Sequence, residues 1–176
     1  MLIDDYSLEF TRSKCNPHTQ GIHCIAHFNR DISEVIPYLN AELGGDACSD
    51  NPPFVTFKVH GKLITVHPDK IAINALKDQD EAKKVMKWMV REINRVWDER
   101  DNITPTYEVL PKPQPIEILK FLPKTNCKKC GYPTCLVFAV HVREGGVDIR
   151  QCPELNEEKL KEIEKYLSSF KRLSID

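Results

Sequence analysis

The sequence predicts an α+β protein made of two folded parts that are joined by a proline-rich segment. Stretches before residue 77 alternate apolar and polar residues, as β-strands do, and residues 78–100 repeat apolar residues every three or four positions, as an amphipathic helix does. Residues 116–176 combine three short helical patterns with four of the seven cysteines. We therefore expect an N-terminal β-α-β-β-α domain over residues 1–103, a linker over 104–115 and a small helical domain over 116–176.

The composition is typical of a globular protein that works in water. Of the 176 residues, 41% are hydrophobic and 29% are charged, and the net charge of −1 predicts no strong attraction to nucleic acid or to a membrane. No apolar run approaches the ~18 residues of a membrane-spanning helix, and the N-terminal MLIDDYSLEF lacks the basic start and apolar core of a signal peptide. We expect a cytoplasmic protein with no membrane span, whose cysteines bind metal rather than form disulfides.

The N-terminal part reads as strands and a short helix. Residues 21–28 alternate, with Ile22, Cys24, Ala26 and Phe28 on one face and His23, Ile25 and His27 on the other. A further strand near residues 7–12 precedes it. A short helix follows through residues 34–43, capped by Asp31 or Ser33 and carrying Pro37 near its start. Residues 43–53 (LGGDACSDNPP) read as a loop, and residues 54–67 read as a hairpin that turns near Gly61 and Lys62.

The strongest single element of the N-terminal part is the helix over residues 78–100. Asp78 and Glu81 have the spacing of a reciprocal N-terminal cap. One apolar stripe runs along the helix and consists of Ala82, Val85, Met86, Met89, Ile93, Val96 and Trp97. The natural packing is a small antiparallel or mixed sheet with helices on one face.

The C-terminal part is too small to hold itself together by apolar packing alone. We expect helices over residues 116–122, 134–144 and 154–170, the last capped by Asn156 and facing inward through Leu160, Ile163, Leu167 and Phe170. A core of about 60 residues usually needs a staple. Four cysteines, at the spacing C-x2-C-x4-C-x16-C-P, stand where these helices meet, and they are Cys127, Cys130, Cys135 and Cys152.

This spacing favours one [4Fe–4S] cluster held by the four cysteines. Cys127 and Cys130 can bind two corners from one tight loop, and Gly131 lets the backbone turn around the cube. Cys135 opens a helix, whose N-terminal dipole and free N–H groups favour an anionic cluster. Cys152 is followed by proline, as in bacterial ferredoxins. Apolar cover is expected from Leu136, Phe138, Ala139 and Val140.

Structural zinc is the alternative occupant. Four cysteines also suit tetrahedral zinc, although zinc ribbons usually present two C-x2-C pairs and this segment has one. The lysines of the loop, Lys124, Lys128 and Lys129, either offset the charge of the metal group or receive an acidic redox partner.

The segment LPKTNCKKCGYPTCLVFAVHVREGGVDIRQCP closely resembles two known iron–sulfur modules. These are the four-cysteine [4Fe–4S] domain of the large subunit of the corrinoid iron–sulfur protein of acetyl-CoA synthesis, and the cluster domain in the iron–sulfur subunit of Rnf-type electron-transport complexes. The matching elements are Leu122-Pro123, Asn126-Cys127, Cys130-Gly131, Pro133-Thr134-Cys135, Phe138-Ala139, Gly145 and Cys152-Pro153. The resemblance implies that the four cysteines are cluster ligands and that the module transfers electrons at low potential in anaerobic metabolism.

A second candidate metal site lies in the N-terminal part. Two C-x2-H pairs, Cys15 with His18 and Cys24 with His27, could together bind zinc or iron. Strand alternation argues against it, because Cys24 and His27 would then face opposite sides of their strand. Cys48 is expected to be a free thiol.

Three functions follow from these expectations. The first is an electron-transfer or redox-accessory protein rather than an enzyme, with a redox partner that the N-terminal domain recognises. A corrinoid protein or a corrinoid-dependent methyltransferase is the partner class to test first, because reactivation of cobalt needs such a donor. The second is a binding or regulatory module whose iron–sulfur cluster or zinc is structural. The third is an enzyme with its active site in the N-terminal domain.

Overall fold

The computed structural model describes residues 1–12, 21–59 and 61–170. The chain divides into two compact units, with the boundary between Leu110 and Pro111. No helix in the described ranges is both long and apolar enough to cross a membrane.

The first unit contains a six-stranded antiparallel sheet and two α-helices. In chain order, the elements are β1 Tyr6–Arg12, β2 Ile22–Phe28, α1 Ile36–Leu43, β3 Ala47–Asp50, β4 Pro53–Val59, β5 Lys62–Val66, β6 Lys70–Leu76 and α2 Gln79–Asp98. The strand order in the sheet is β1-β2-β6-β5-β4-β3. The two helices contact each other; α1 also contacts β4, and α2 also contacts β2 and β6.

The predicted α+β class is confirmed, and so are the strands near residues 7–12 and 21–28 and the hairpin within 54–67. The short helix begins as a 3-10 turn over Ser33–Val35, where the Asp31 carboxylate accepts a hydrogen bond from the Ser33 N–H at 2.7 Å. Gly61 has φ 75°, a left-handed conformation that suits the hairpin turn.

Two strands were not predicted. Residues 43–53 are not all loop, because β3 pairs with β4 and places Cys48 opposite Val55. A four-residue edge strand among Gly, Asp and Pro has no strong local signal, and only its partner strand defines it. Strand β6 was not predicted either, although two of its residues, Ile71 and Ile73, are buried. It lies between β2 and β5 and makes the sheet continuous.

The core of the first unit lies between one face of the sheet and the two helices. Alternate strand residues, such as Phe57, Ile64 and Ile73, are almost fully buried. The predicted stripe of α2 is buried except for Trp97, which the Arg100 guanidinium covers at 4.4 Å from the ring centroid. Asp78 caps α2 as predicted, since its carboxylate accepts the Glu81 N–H at 2.8 Å.

The Glu81 carboxylate in turn accepts from the N–H of Lys77 at 2.7 Å, one residue before the expected partner, Asp78. Both carboxylates therefore still satisfy backbone donors at the start of α2.

Asn40 fixes the first part of the proline-rich segment to the first unit. Its side chain is fully buried, and its Nδ2 donates to the backbone oxygens of Thr106 and Glu108, both at 2.8 Å. Its Oδ1 accepts the N–H of Gly45 at 3.2 Å. One buried amide thus satisfies three backbone groups, and residues up to Glu108 are bound to α1.

The second unit packs three helices, α3 Pro115–Phe121, α4 Cys135–Arg143 and α5 Glu157–Ser168, close to the predicted ranges. The Asn156 side chain caps α5 by accepting the Lys159 N–H at 2.9 Å, as expected. The core consists of Ile118, Leu122, Cys135, Phe138, Ala139, Val142, Val147, Ile149, Cys152, Ile163 and Leu167. Two of its eleven members are cysteines, so the candidate ligands are part of what holds the unit together.

Candidate metal centre

The loop between α3 and α4 has an unusual backbone. Three non-glycine residues have left-handed conformations, Lys124 (φ 60°), Asn126 (φ 51°) and Lys128 (φ 62°), and Gly131 has φ 86°. Such conformations are costly for most side chains and concentrate at functional sites. Backbone that switches hand within a few residues can direct N–H groups into one concavity, which is how many phosphate and iron–sulfur sites bind their anionic group.

Several N–H groups of this loop are available to a bound anion. Gly131 donates to the backbone oxygen of Lys128 at 2.9 Å and closes a turn. Within the described part of the chain, the N–H groups of Cys127, Lys128, Lys129 and Cys130 donate to no protein acceptor. Unpaired donors next to thiol sulfurs favour thiolates over thiols.

Asn126 joins this loop to the start of α4. Its Oδ1 accepts the N–H of Cys135 at 2.9 Å, and Thr134 caps the helix by accepting the N–H of Val137 at 3.1 Å. The role of Asn126 was not predicted from the sequence. The signal was available, since asparagine tolerates the left-handed conformation and this one precedes the first cysteine of the motif.

Three of the four predicted ligands contact the core of the second unit. Cys135 is the first residue of α4, and Cys152 follows a 3-10 turn over Ile149–Gln151; they are only 8% and 7% exposed. Cys130 is half-buried and packs against the same core, whereas Cys127 is exposed. Three cysteines thus contact one apolar cluster, and the fourth, Cys127, lies near the middle of the loop between α3 and α4.

The other three cysteines of the motif affect the pKa of Cys152. Burial raises the pKa of the Cys152 thiol, and the thiolates of Cys130, Cys135 and Cys127 raise it further, while the N–H of Glu154 acts in the opposite direction. Repulsion among thiolates is relieved when they coordinate metal cations, whose positive charge offsets theirs. Within residues 1–12, 21–59 and 61–170, no three His, Cys, Asp or Glu side chains form a group that could hold a single metal ion.

The three lysines of the loop differ in their contacts. Lys129 forms an ion pair with Glu154, which follows Cys152 closely in the chain, at 2.5 Å. The hydrogen bond from Lys129 to Glu154 raises the pKa of Lys129, and the Cys127 thiolate adds to the effect. Lys124 and Lys128 are exposed and, among the described residues, have no ion pair.

The four residues expected to give apolar cover differ in their burial. Phe138 and Ala139 are buried in the core and Val140 is half-buried, but Leu136 is 44% exposed. Leu136 is therefore not part of the core, and its role in covering a bound cluster stays a prediction. Because α4 turns its face toward the core at Cys135, Phe138, Ala139 and Val142, the residue directly after Cys135 lies on the outer side.

The second candidate site is not assembled in the described residues. Cys24 is fully buried in β2, whereas His27 is exposed and bonds Glu9 at 3.2 Å, so the two side chains lie on opposite faces, as the alternating pattern indicates. Cys15 and His18 lie outside the described residues. Burial raises the pKa of the Cys48 thiol to about 11, so this cysteine stays protonated at neutral pH.

The loop and its cysteines define an iron–sulfur type of segment, and comparison with known proteins agrees. Residues 122–154 match the family model described as "Putative Fe-S cluster". The resemblance expected from the cysteine motif is therefore confirmed over this segment, which is about a fifth of the chain.

Three relatives show the same segment. The acetyl-CoA decarbonylase/synthase complex subunit gamma of Methanocaldococcus jannaschii is 52% identical over 50 residues, 28% of this chain and 10% of the relative. The corrinoid/iron-sulfur protein large subunit of Moorella thermoacetica is 45% identical over 42 residues, 24% and 9% of the two chains. A subunit of the ion-translocating oxidoreductase complex of Azoarcus sp. is 41% identical over 56 residues, 31% of each chain.

The chain thus spans about a tenth of the length of the first two relatives. No solved structure shows significant similarity to this chain.

Replacing Asn126 tests the link between the loop and α4. Asn126→Ala is expected to lower the free energy of unfolding of the second unit by about 1–3 kcal/mol, because alanine resists the left-handed conformation and leaves the Cys135 N–H without its acceptor. Asn126→Gly retains the conformation and should lose only the hydrogen bond, about 1 kcal/mol. Asn126→Asp retains both features and serves as the control. Urea unfolding followed by far-UV circular dichroism measures the series, and equal stability of the alanine variant and the parent protein would contradict the assigned role.

Proposed function

We propose that Cys127, Cys130, Cys135 and Cys152 bind one [4Fe–4S] cluster and that the protein transfers single electrons at low potential to or from a protein partner. The observation that carries this proposal is that Cys130, Cys135 and Cys152 pack in or against one apolar core, while Cys127 lies in the same loop as Cys130. The donor set also fits, since four sulfur ligands suit iron–sulfur clusters and no carboxylate or imidazole is required.

The residues around the cysteines would hold and tune such a cluster. When bound, the cluster supplies a centre that accepts and releases one electron. The N-terminus of α4 presents a positive dipole end to the anionic group. The free N–H groups at residues 127–130 offer donors to its sulfurs, and Lys129 adds a positive charge near Cys127.

We propose the redox partner from the names of the relatives. Two of them are a decarbonylase/synthase subunit and a corrinoid/iron-sulfur protein subunit. A corrinoid protein, or a methyltransferase that depends on one, is the partner class to test first, with reductive activation as the role. In this proposal residues 1–103 recognise the partner in the cytoplasm, residues 104–115 link the domains, and residues 116–176 carry the cluster.

A structural metal is the second candidate function. It is favoured by the membership of Cys135 and Cys152 in the core of the second unit, because a metal there would stabilise the fold whether or not it exchanged electrons. The first unit would then perform the binding or regulatory role.

Metal analysis of the full-length protein, purified without oxygen, tests these functions. The proposal requires about four irons per chain and a broad absorption near ~400 nm that bleaches when a strong low-potential reductant is added. A colourless protein with one zinc per chain would refute the proposed electron-transfer function. A cluster that is present but resists reduction would favour the structural role.

A further inference from the structure

The cysteine segment has a charge pattern of its own. Residues 122–143 contain Lys124, Lys128, Lys129 and Arg143 but no aspartate or glutamate, although the whole chain has a net charge of −1. A surface that carries charges of one sign next to a redox site affects which partner proteins approach the site and how fast they associate.

The contacts show which of these charged side chains are available to pair with a partner protein. Lys129 already forms an ion pair with Glu154, at 2.5 Å. Lys124 and Lys128 are exposed, form no ion pair in the described part of the chain and lie three residues before and one residue after Cys127. Their left-handed backbone, φ 60° and 62°, is costly for lysine and is not needed merely to place a charge in solvent.

The burial of the cysteines determines the side from which a partner can approach. Cys135 and Cys152 are covered by the helical core, and Cys127 is exposed. Leu136, next to Cys135, is 44% exposed and offers an apolar contact of the kind found at the centre of interfaces. The solvent-facing side of the site is therefore the loop that carries Lys124 and Lys128.

We propose that Lys124, Cys127, Lys128 and Leu136 form a docking surface for the acidic face of a one-electron redox protein. This inference rests on the proposed function. A partner docked there would take one electron from the reduced cluster that the four cysteines would hold, so that its oxidised centre is reduced one for one and no bond forms or breaks. The partner's carboxylates pair with Lys124 and Lys128, which form no ion pair within the described part of the chain.

Electron transfer to two acceptors of opposite charge tests this surface. The acceptors are an acidic blue-copper protein, plastocyanin, and a basic cytochrome c, each mixed with the dithionite-reduced full-length protein in a stopped-flow instrument. Removing two positive charges with Lys124→Gln/Lys128→Gln should slow transfer to plastocyanin about three- to ten-fold at low ionic strength and weaken its salt dependence. Transfer to cytochrome c should stay constant or become faster.

Lys120→Gln/Lys165→Gln is the matched control. It removes the same charge from two exposed lysines on helices of the same unit, and Lys120 is paired with Glu117 at 2.7 Å. This variant should leave both rates within about two-fold of the parent protein, on the order of an ordinary surface charge effect.

Two results would overturn the docking surface. The first is an unchanged rate with plastocyanin in the Lys124/Lys128 variant. The second is equal slowing with both acceptors together with a changed midpoint potential, which would mean that the lysines only offset the cluster charge.

Iron is measured first on every preparation, so a parent protein without iron refutes the proposed function separately. In that case binding of copper-free plastocyanin, titrated by calorimetry at low ionic strength, decides the surface. Weaker binding of copper-free plastocyanin to the Lys124/Lys128 variant than to the parent protein would support the docking surface. Equal binding to both proteins, or binding to neither, would refute it.

Discussion

Replacement of Cys135 or Cys152 by serine is expected to remove most of the iron, from about four per chain to below about one. Both side chains are buried in the apolar core of the second unit, where a serine hydroxyl would replace a ligand and bring an unsatisfied polar group into the core. Cys127→Ser should behave differently because Cys127 is exposed. We expect it to retain a cluster that has lost one corner, with about three irons and an altered electron paramagnetic resonance signal.

Cys48→Ser is the control for this series. Cys48 lies in β3 of the first unit and is half-buried, so its substitution should leave iron content and absorption unchanged. If Cys135→Ser and Cys152→Ser both retain the full iron content, these residues are not ligands, and the proposed cluster loses its basis.

Removing the metal is expected to unfold the second unit and leave the first intact. The second unit has eleven buried core residues, two of them proposed ligands, and a domain of about 60 residues rarely folds on so small a core. It contains 28 of the 56 α-helical residues that the structure describes, in α3, α4 and α5. Far-UV circular dichroism should therefore lose about half of its helical signal when the cluster is oxidised and its iron chelated.

Tryptophan fluorescence provides the internal control for that experiment. Both tryptophans, Trp88 and Trp97, lie in α2 of the first unit, so their emission should not change while the helical signal falls. Reconstitution with iron and sulfide should restore the helical signal. A second unit that keeps its helices after metal removal would show that the unit folds without the metal, which would weaken the structural alternative and leave the redox role unaffected.

Much of the candidate site could be predicted because its signals are local. The C-x2-C-x4-C spacing, the glycine and proline between the cysteines and the helix that begins at Cys135 all lie within about ten residues. The N-terminal caps at Asp78 and Asn156 have the same origin, because a cap bonds to residues only a few positions away.

The unpredicted features depend on partners that are distant in the chain. Lys129 meets Glu154 across 25 residues, and this contact distinguishes Lys129 from the other two lysines of the loop. Asn40 donates to the backbone oxygen of Thr106 across 66 residues. Strand β6 pairs with β2, whose local pattern gives no sign of its neighbour.

The sequence by itself determined the α+β class, the long helix α2, the three C-terminal helices and the iron–sulfur motif. Each of these follows from periodicity or spacing between near neighbours. Only the tertiary structure decided the strand order, the edge strand β3, the outward position of Leu136 and which lysine of the loop pairs with Glu154. The physical reason is that strand pairing, burial and ion pairing are set by which distant segments come into contact, and a local pattern does not specify its partner.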